Sequence, residues 1–383
     1  MTEPEVIERV RSFLLDTRFP EETSVQHLCT DAHHTLVEHG GLGPYQRVSM
    51  PYADEIMHPD LVGQLSDGES LFAVEAKGEG DLVKGIGQAE RYQEGVQRSF
   101  FALPADRFTS AIERMAAQKN VGLLTVAEEV TPLYWPRPRQ PWQTAYRSVW
   151  RQIDTGLRAQ GWSTFTYNLP THYLAWTLAL DPEMLHATGS VKDVIAPYHR
   201  MPKDWKAALR GAKKLGLVRR HGNTVELTPT GCAVRDILDT SLEEWNDIHK
   251  RAIYKPLADV FPRAGAALRI LLLREPEVRL LVRALRQFDD KEAAMPKLAK
   301  TCDSIDHDRT PALLFTPERI DSMMDKAGRI LWDQVDGMHY RSTTFYQMKR
   351  ILQHAGILED TGLQSNSAKS YKPAEDHWAL RMH

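Results

Sequence analysis

Cysteine is scarce in this sequence. The 383 residues contain three cysteines, Cys29, Cys232 and Cys302, which are widely separated and show no metal-ligand spacing. A disulfide framework and a cysteine-based zinc site are therefore both excluded, because each needs paired cysteines at matched intervals. We expect a protein of a reducing compartment.

Long apolar runs and a basic leader are also absent. The run Ile-Leu-Leu-Leu at residues 270–273 is far shorter than the roughly 20 apolar residues that span a bilayer. The chain begins Met-Thr-Glu-Pro-Glu, with acids where a signal peptide carries bases. The sequence predicts a cytoplasmic protein without a membrane partner.

Charge is distributed unevenly. Residues 1–150 hold 14 Lys and Arg against 22 Asp and Glu, a formal charge of −8, so the remainder carries +5 of the overall −3. Within 200–220, Asp204 alone opposes eight basic residues: Arg200, Lys203, Lys206, Arg210, Lys213, Lys214, Arg219 and Arg220. Such a segment indicates a contact with a nucleic-acid backbone, the alternative being a solvated helix face.

The first 135 residues alternate helical and strand patterns, which predicts one domain with a mixed sheet flanked by helices, in the order αβββαβαβ. Asp67-Gly68 marks a tight hairpin within the three-strand meander. The predicted helices are 3–17, 23–39, 81–97 and 107–118. The predicted strands are 45–50, 60–65, 70–77, 99–103 and 121–126.

The rest of the chain is predicted to be mostly helical. Pro136, Pro138 and Pro141 favour a Pro-rich linker and connecting helix over 136–164, because neither a helix interior nor a central strand accepts such spacing. Helices at 172–180, 191–198 and 203–215, then a hairpin turning at Gly222-Asn223, predict a winged helix over 165–249.

A second winged-helix-like domain is predicted over 311–383, after a helical connector at 250–310. Its helices are expected at 317–328 and 343–354, followed by a strand from Gly356. The sequence Lys214-Leu-Gly-Leu-Val is weakly similar to His354-Ala-Gly-Ile-Leu, which supports an internal repeat.

One short motif carries the candidate chemistry. Asp60 begins one predicted strand, and Glu75-Ala76-Lys77 ends the next. Paired strands would bring two carboxylates and an ammonium together, and two carboxylates bind a hard dication such as Mg²⁺ or Mn²⁺. A chance match in a protein of this size is the competing explanation, so the surrounding pattern matters.

That pattern resembles the PD-(D/E)xK nuclease superfamily, with Pro59-Asp60 and Glu75-Ala76-Lys77 standing for its two halves. Gln88 and Tyr92 on the following helix resemble the Gln-xxx-Tyr element of the RecB-like branch. The resemblance implies a restriction-endonuclease-like fold. It further implies that Asp60, Glu75 and the Ala76 carbonyl hold the metal, while Lys77, Gln88 and Tyr92 act on water and substrate.

Members of this superfamily often add an acidic residue from the first helical region. Glu22 at a predicted helix start is the leading candidate, although helix capping explains it equally well, and Glu38, Glu21 and Glu8 are alternatives. His58 is interpreted as structural. The neighbouring His33 and His34 have no evident partner set and are expected to face solvent.

The combined pattern predicts a metal-dependent DNA endonuclease of a restriction, defence or mobile-element system. Its winged helices would recognise the DNA. The alternative is a non-catalytic winged-helix regulator or defence-complex adaptor on a nuclease-like scaffold, and winged helices that contact only protein are a third reading. Whether the chain works as a homodimer or with a partner protein stays open.

Overall fold

The computed structural model describes the chain except residues 54, 164–168, 198–204, 362–366 and 382–383. The chain forms two compact units, and neither is continuous in sequence. Unit 1 comprises Met1–Gly156 and Asp308–His339, and unit 2 comprises Leu157–His307 and Tyr340–His383.

The elements of the first 163 residues alternate helix and strand. In chain order they are α1 (Glu3–Asp16), β1 (Val25–Thr30), α2 (His34–His39), β2 (Met50–Tyr52), β3 (Glu55–Met57), β4 (Leu61–Leu65), β5 (Leu71–Ala76), α3 (Leu82–Tyr92), β6 (Arg98–Pro104), α4 (Ser110–Gln118), β7 (Gly122–Val126), β8 (Val130–Tyr134) and α5 (Gln143–Ser163).

Helices predominate afterwards. The later elements are α6 (Thr171–Ala179), β9 (His186–Ala187), α7 (Thr188–Ile195), α8 (Trp205–Lys214), β10 (Val218–His221), β11 (Thr224–Leu227), α9 (Pro229–Leu238), α10 (Leu242–Ala252), α11 (Leu257–Val260), α12 (Pro262–Leu273), α13 (Pro276–Leu285), β12 (Glu292–Ala294), α14 (Met295–Ile305), α15 (Thr310–Leu314), α16 (Ser342–His354) and β13 (His377–Ala379). Three 3₁₀ segments complete them: Ala105–Arg107, Pro317–Met323 and Pro373–Glu375. Among the described residues, no helix combines the length and apolar character needed to cross a membrane.

Unit 1 is built on a six-stranded mixed sheet in the order β1-β4-β5-β6-β7-β8. The β1, β4 and β5 strands form an antiparallel meander, β5, β6 and β7 run parallel, and β8 returns antiparallel to β7. This agrees with the predicted mixed α/β class, and the strands expected at 60–65, 70–77, 99–103 and 121–126 are present as β4 to β7.

The start of the meander was predicted wrongly. The segment expected as one helix over 23–39 is strand β1 followed by the short helix α2, and the first strand of the meander is β1 rather than 45–50. Pairing along β4 selects the extended form of β1, a tertiary effect that outweighs local helical periodicity. Segment 45–49 instead lies beside the end of β1, where Gln46 N–H donates to the Thr30 carbonyl.

Both faces of the sheet are covered, as parallel strands require. On one face, α1 packs against side chains that include Phe72, Val74 and Phe100. On the other face, α3 and α4 pack against Phe101 and Leu103. Alternating residues of β6 therefore serve two separate cores, which explains why this strand reads as a continuous apolar run.

The proline-rich segment is part of unit 1 rather than a linker. Trp135 stacks edge-on against Phe100, and the backbone amides of Arg139 and Trp142 donate to the Gln97 and Glu94 carbonyls. The division between the units falls inside α5, after Gly156. The predicted boundary at 135 was therefore too early.

The predicted domain at 311–383 is also divided. Residues 308–339 belong to unit 1, and Tyr340 onward belongs to unit 2. The helix expected at 317–328 is a 3₁₀ segment that ends at Met323, because Pro317 and the following contacts to unit 1 favour a tighter turn.

Unit 2 contains two sets of elements in a similar order, although the first has two strands after its last helix and the second has one. The first set is α6, β9, α7, α8, β10 and β11, with a three-stranded sheet in the order β10-β11-β9. The hairpin predicted at 217–228 is confirmed as β10 and β11.

The second set is α13, β12, α14, α16 and β13, in which β12 pairs with β13 and Leu358 bridges to Leu380. Thus β12 and α14, from the segment predicted as a helical connector, belong with the C-terminal helix and strand. Gly216 after α8 and Gly356 after α16 both adopt positive φ, +69° and +63°, so the weak sequence repeat marks equivalent helix ends.

The aromatic centre of unit 1 tests this packing. Phe100 is fully buried and lies within 6 Å, centroid to centroid, of Phe19 and Trp135. Phe100→Ala is expected to lower the free energy of opening of β5 and β6 by about 3–5 kcal/mol, because it leaves a cavity. Amide hydrogen exchange of these strands measures it, and Leu15→Ala on exposed α1 surface should change it by less than about 0.5 kcal/mol.

Candidate functional site

Strand pairing brings Asp60 and Glu75 together. The antiparallel register joins Leu61 with Val74, so Asp60 at the entry to β4 lies beside Glu75 near the end of β5. The Asp60 carboxylate accepts a 2.7 Å hydrogen bond from the Ala76 N–H. The observed contact of Ala76 is made by its amide. The role of its carbonyl as a metal ligand therefore stays a prediction.

Lys77 and Tyr92 hold the Glu75 carboxylate. The Lys77 ammonium lies 2.7 Å from Glu75 Oε1, and the Tyr92 hydroxyl donates to Glu75 Oε2. Tyr92 OH is also 3.4 Å from the His58 carbonyl. Four of the predicted site residues therefore meet in one buried cluster, and Gln88, one helical turn before Tyr92, lines the same cavity.

Two glycines let neighbouring elements approach this cluster. A Cβ on Gly85 of α3 would lie 2.5 Å from Phe101 and 3.0 Å from the Lys77 side chain. A Cβ on Gly78 would lie 2.6 Å from backbone atoms of Met1 and Glu3. Close backbone approach of this kind requires glycine, and it places the start of α1 next to Lys77.

The site opens into a cavity of about 940 Å³ with an excess of acidic side chains. Glu3, Asp31, Asp60 and Glu75 all line it, and Glu3 Oε2 is 3.5 Å from the Lys77 ammonium. Of the basic lining residues, Arg91 contacts Glu55 at 3.4 Å, and Arg47 pairs with Asp321. Lys77 and Lys84 also line the cavity, so five carboxylates, with Glu55 included, face four basic side chains.

Burial and like charge raise the pKa values of the two central carboxylates. Asp60 is almost fully buried, and desolvation followed by the Glu75 charge raises its pKa well above the usual range, although Lys77 opposes the shift. Desolvation also raises the pKa of Glu75, against the opposing effect of Lys77. Burial alone would lower the pKa of Lys77, but the charges of Glu75 and Asp60 outweigh it and raise that pKa.

Asp31, which directly follows β1, is a third buried carboxylate. Desolvation raises its pKa to about 6, although Arg47 partly opposes the shift. Its amide donates to the Asp60 carbonyl at 2.9 Å, and in the described part of the chain its Oδ1 has no hydrogen-bond partner. Two buried carboxylates beside each other and an unsatisfied third oxygen nearby fit the hard-oxygen ligand set of Mg²⁺ or Mn²⁺.

The expected additional acid is not among the four candidates. Glu22 lies in a turn with φ of +60°, Glu21 pairs with Arg98 at 2.5 Å, and Glu38 and Glu8 are exposed away from the cavity. Glu22 does not line the cavity, and it precedes strand β1 instead of starting a helix. Glu3 and Asp31 occupy the cavity instead. Asp31 directly follows the apolar end of strand β1, which is a signal for a site residue. The prediction of a helix over 23–39 concealed that signal.

The histidines behave differently from each other. His58 Nδ1 is 3.3 Å from the Val48 carbonyl, and burial lowers the pKa of His58 to about 4; because His58 also lines the cavity, its structural role stays a prediction. The side chains of His33 and His34 are 41% and 65% exposed, and His33 also lines the cavity. Both approach Asp321, a partner from a distant segment that the sequence could not indicate.

The predicted basic surface is partly retained. Lys206, Arg210 and Lys213 are exposed along α8, and Arg219 and Arg220 are exposed on β10. Lys214 differs, because its ammonium lies 3.5 Å from Glu275 and its side chain is partly buried over Trp162. Lys203 and Arg200 lie outside the described residues.

Comparison with known proteins adds little. No protein-family model matches this chain, and no curated protein matches its sequence. Among solved structures, a protein of unknown function from Silicibacter pomeroyi is similar over 27% of this chain and 68% of its own length, at 15% identity and a TM-score of 0.23. A likeness this slight identifies neither a fold nor a function.

The raised pKa of Asp31 makes a pH-dependent prediction. A carboxyl whose pKa rises on folding stabilises the fold below its unfolded pKa, and that contribution is lost as the pH rises through about 6. In chelator, the stability of the wild type relative to Asp31→Asn is therefore expected to fall by about 2 kcal/mol between pH 4.5 and 7.5.

Urea unfolding of both proteins across that range measures the difference. The lowered pKa of His58 produces the opposite slope, but it is present in both proteins and cancels. A difference that stays constant with pH would show that Asp31 is not desolvated as described.

Proposed function

We propose that unit 1 is a metal-dependent phosphodiester hydrolase, a nuclease of the PD-(D/E)xK type. The observation that carries the proposal is the buried cluster of Asp60, Glu75 and Lys77, with Tyr92 on Glu75, at the floor of an acidic cavity. Hydrolysis of a phosphodiester needs a dication and a positioned water, and this cluster has ligands for the first and an ammonium for the second.

The order of elements supports the same assignment. A helix, an antiparallel meander of β1, β4 and β5, and two crossovers to β6 and β7 are consistent with the αβββαβαβ order that the resemblance implies, once α2, β2 and β3 are taken as an insertion and β8 as an addition. The acidic pair lies at the entry of β4 and the end of β5, which are adjacent strands of the meander. In this interpretation Glu3 supplies the additional acid from α1.

In the proposed mechanism, Asp60 and Glu75 would hold Mg²⁺ or Mn²⁺, with the Ala76 carbonyl as a predicted third ligand. When bound, the dication supplies charge neutralisation at the scissile phosphate and a lowered pKa for a coordinated water. Lys77 would orient the attacking water and stabilise negative charge on the phosphate. Tyr92 holds Glu75 in place, and Gln88 would position the substrate backbone.

We further propose that the substrate is DNA and that unit 2 binds it through two winged helices. The first set has helices followed by the β10-β11 hairpin, which is the element order of that motif, and in the second set β13 follows α16 and pairs with β12. The first set presents Lys206, Arg210 and Lys213 on α8 and Arg219 and Arg220 on the hairpin, all exposed. An acidic cavity needs such a separate basic surface to hold a polyanion. A restriction, defence or mobile-element nuclease of the cytoplasm fits this combination.

Cleavage is expected to depend on the cluster. With Mg²⁺ or Mn²⁺, wild-type protein should cut duplex, single-stranded or branched DNA, and Asp60→Asn, Glu75→Gln and Lys77→Met should each lower the rate by about a hundredfold or more. Gel-resolved cleavage of all three substrate types measures this.

Glu79→Gln is the matched control, because Glu79 lies four residues after Glu75 but is exposed. Its activity should equal that of the wild type, and circular dichroism checks that every variant is folded. Wild-type protein that binds DNA but cleaves none of these substrates with either metal would favour the non-catalytic regulator or adaptor.

Binding is expected to depend on α8. Joint replacement of Lys206, Arg210 and Lys213 by Ala should weaken duplex binding and make its dependence on salt shallower, by about 0.9 in log–log slope per lost phosphate contact. Lys214→Ala is the control, since that ammonium already contacts Glu275, and its slope should match the wild type. Fluorescence anisotropy at several salt concentrations distinguishes the two. An unchanged slope in the triple variant would remove α8 from the DNA interface.

A further inference from the structure

We propose that His33, His34 and Asp321 form a second metal site, specific for a transition-metal dication such as Zn²⁺. His34 Nδ1 lies 3.1 Å from Asp321 Oδ2, and His33 Nε2 lies 3.9 Å from the same oxygen. The three ligand atoms all lie within 4.8 Å of one another. This set contains two nitrogen ligands and is distinct from the all-oxygen set around Asp60.

The spacing suits one shared ion. Two ligands bound to Zn²⁺ at about 2.0–2.2 Å stand roughly 3.0–3.5 Å apart. The His34 to Asp321 distance already meets this value. His33 reaches it by a small ring rotation that gives up a long 3.4 Å contact from the Thr35 N–H. The side chains of His33 and His34 are 41% and 65% exposed, so such a rotation meets little resistance.

Neighbouring groups orient two of the three ligands. Arg47 pairs with Asp321 Oδ1, which leaves Oδ2 directed toward the histidines. The Thr35 hydroxyl lies 3.3 Å from His34 Nε2 and can accept a hydrogen bond from Nε2–H, which leaves Nδ1, the nitrogen that faces Asp321, to act as the ligand atom. Outer contacts of this kind set ring orientation and ligand basicity in known metal sites.

Ligand chemistry separates the two proposed sites. Imidazole nitrogen favours Zn²⁺, Co²⁺ and Ni²⁺, whereas Mg²⁺ prefers oxygen ligands and retains its waters. The site also joins α2 to the 3₁₀ segment Pro317–Met323, which is distant in the chain. Its occupation would therefore hold this segment against His33 and Arg47, two residues that line the cavity.

Isothermal titration with ZnCl₂, in the presence of excess Mg²⁺, tests the site. Wild-type protein is expected to bind one Zn²⁺ per chain. His34→Ala and Asp321→Asn should each weaken binding by about tenfold or more. His39→Ala is the matched control, because His39 is an exposed histidine at the other end of α2, and its affinity should equal that of the wild type.

The Asp60→Asn protein separates this site from the proposed catalytic one. It should keep the Zn²⁺ affinity of the wild type, whatever its cleavage activity. Loss of Zn²⁺ binding in Asp60→Asn with retention in His34→Ala would overturn the proposal, as would wild-type protein that binds no Zn²⁺.

Limited proteolysis gives a second readout. Zn²⁺ should slow cleavage within residues 308–339 in the wild type and in His39→Ala, but not in His34→Ala. Equal protection in all three proteins would contradict a metal link between α2 and this segment and would leave only the ion pair of His34 with Asp321.

Discussion

The contact between Lys77 and Glu75 is the interaction on which the site depends. Glu75 and Asp60 are both removed from water, and Lys77 is the ammonium that compensates their charge at 2.7 Å from Glu75. Burying charges costs more than one ion pair returns unless further hydrogen bonds are present. The Tyr92 hydroxyl and the Ala76 amide supply those bonds, so strand, loop and helix must all be in register for the cluster to exist.

Apolar packing on the surrounding sheet offsets the energetic cost of these buried charges. Apolar residues of β5 pack into the α1 core, residues of the neighbouring β6 alternate between the α1 core and the α3 core, and both cores are built from buried apolar side chains. Hydrophobic burial of that extent offsets an electrostatically unfavourable centre. Unit 1 therefore keeps two carboxylates with raised pKa values where packing alone would favour apolar residues, a pattern typical of functional sites.

Elements with strong local signals were predictable. The strands β4 to β7 consist of apolar runs bounded by turn residues, and α3 begins at Asp81, whose carboxylate accepts from the Val83 and Lys84 amides. The β1 strand was missed because its neighbour in the sheet, β4, lies more than 30 positions away, and no local period encodes that pairing. β8 was missed because its half-buried pattern includes a proline.

The residues of the candidate site were also predictable only in part. Asp60, Glu75, Lys77 and Tyr92 were predictable, because two adjacent strands and the next helix bring them together over a short stretch. Glu3 and Asp31, which line the cavity, and Asp321, which contacts Arg47 and the histidines, were not, because contacts between distant segments bring them there. Lys214 is the opposite case. It belongs to a run of basic residues in the sequence, but tertiary packing pairs its ammonium with Glu275.

The discontinuity of unit 1 bears on how the chain is made. A ribosome releases the chain from its amino end, so residues 1–156 emerge long before residues 308–339. The sheet and the Asp60 cluster lie within the first portion and can form early. The contacts of Arg47, His33 and His34 with Asp321 can form only after all of 157–307 has been synthesised. The contacts to Asp321 are therefore formed last, and closing so long an intervening segment carries an entropic cost that the early cluster does not bear.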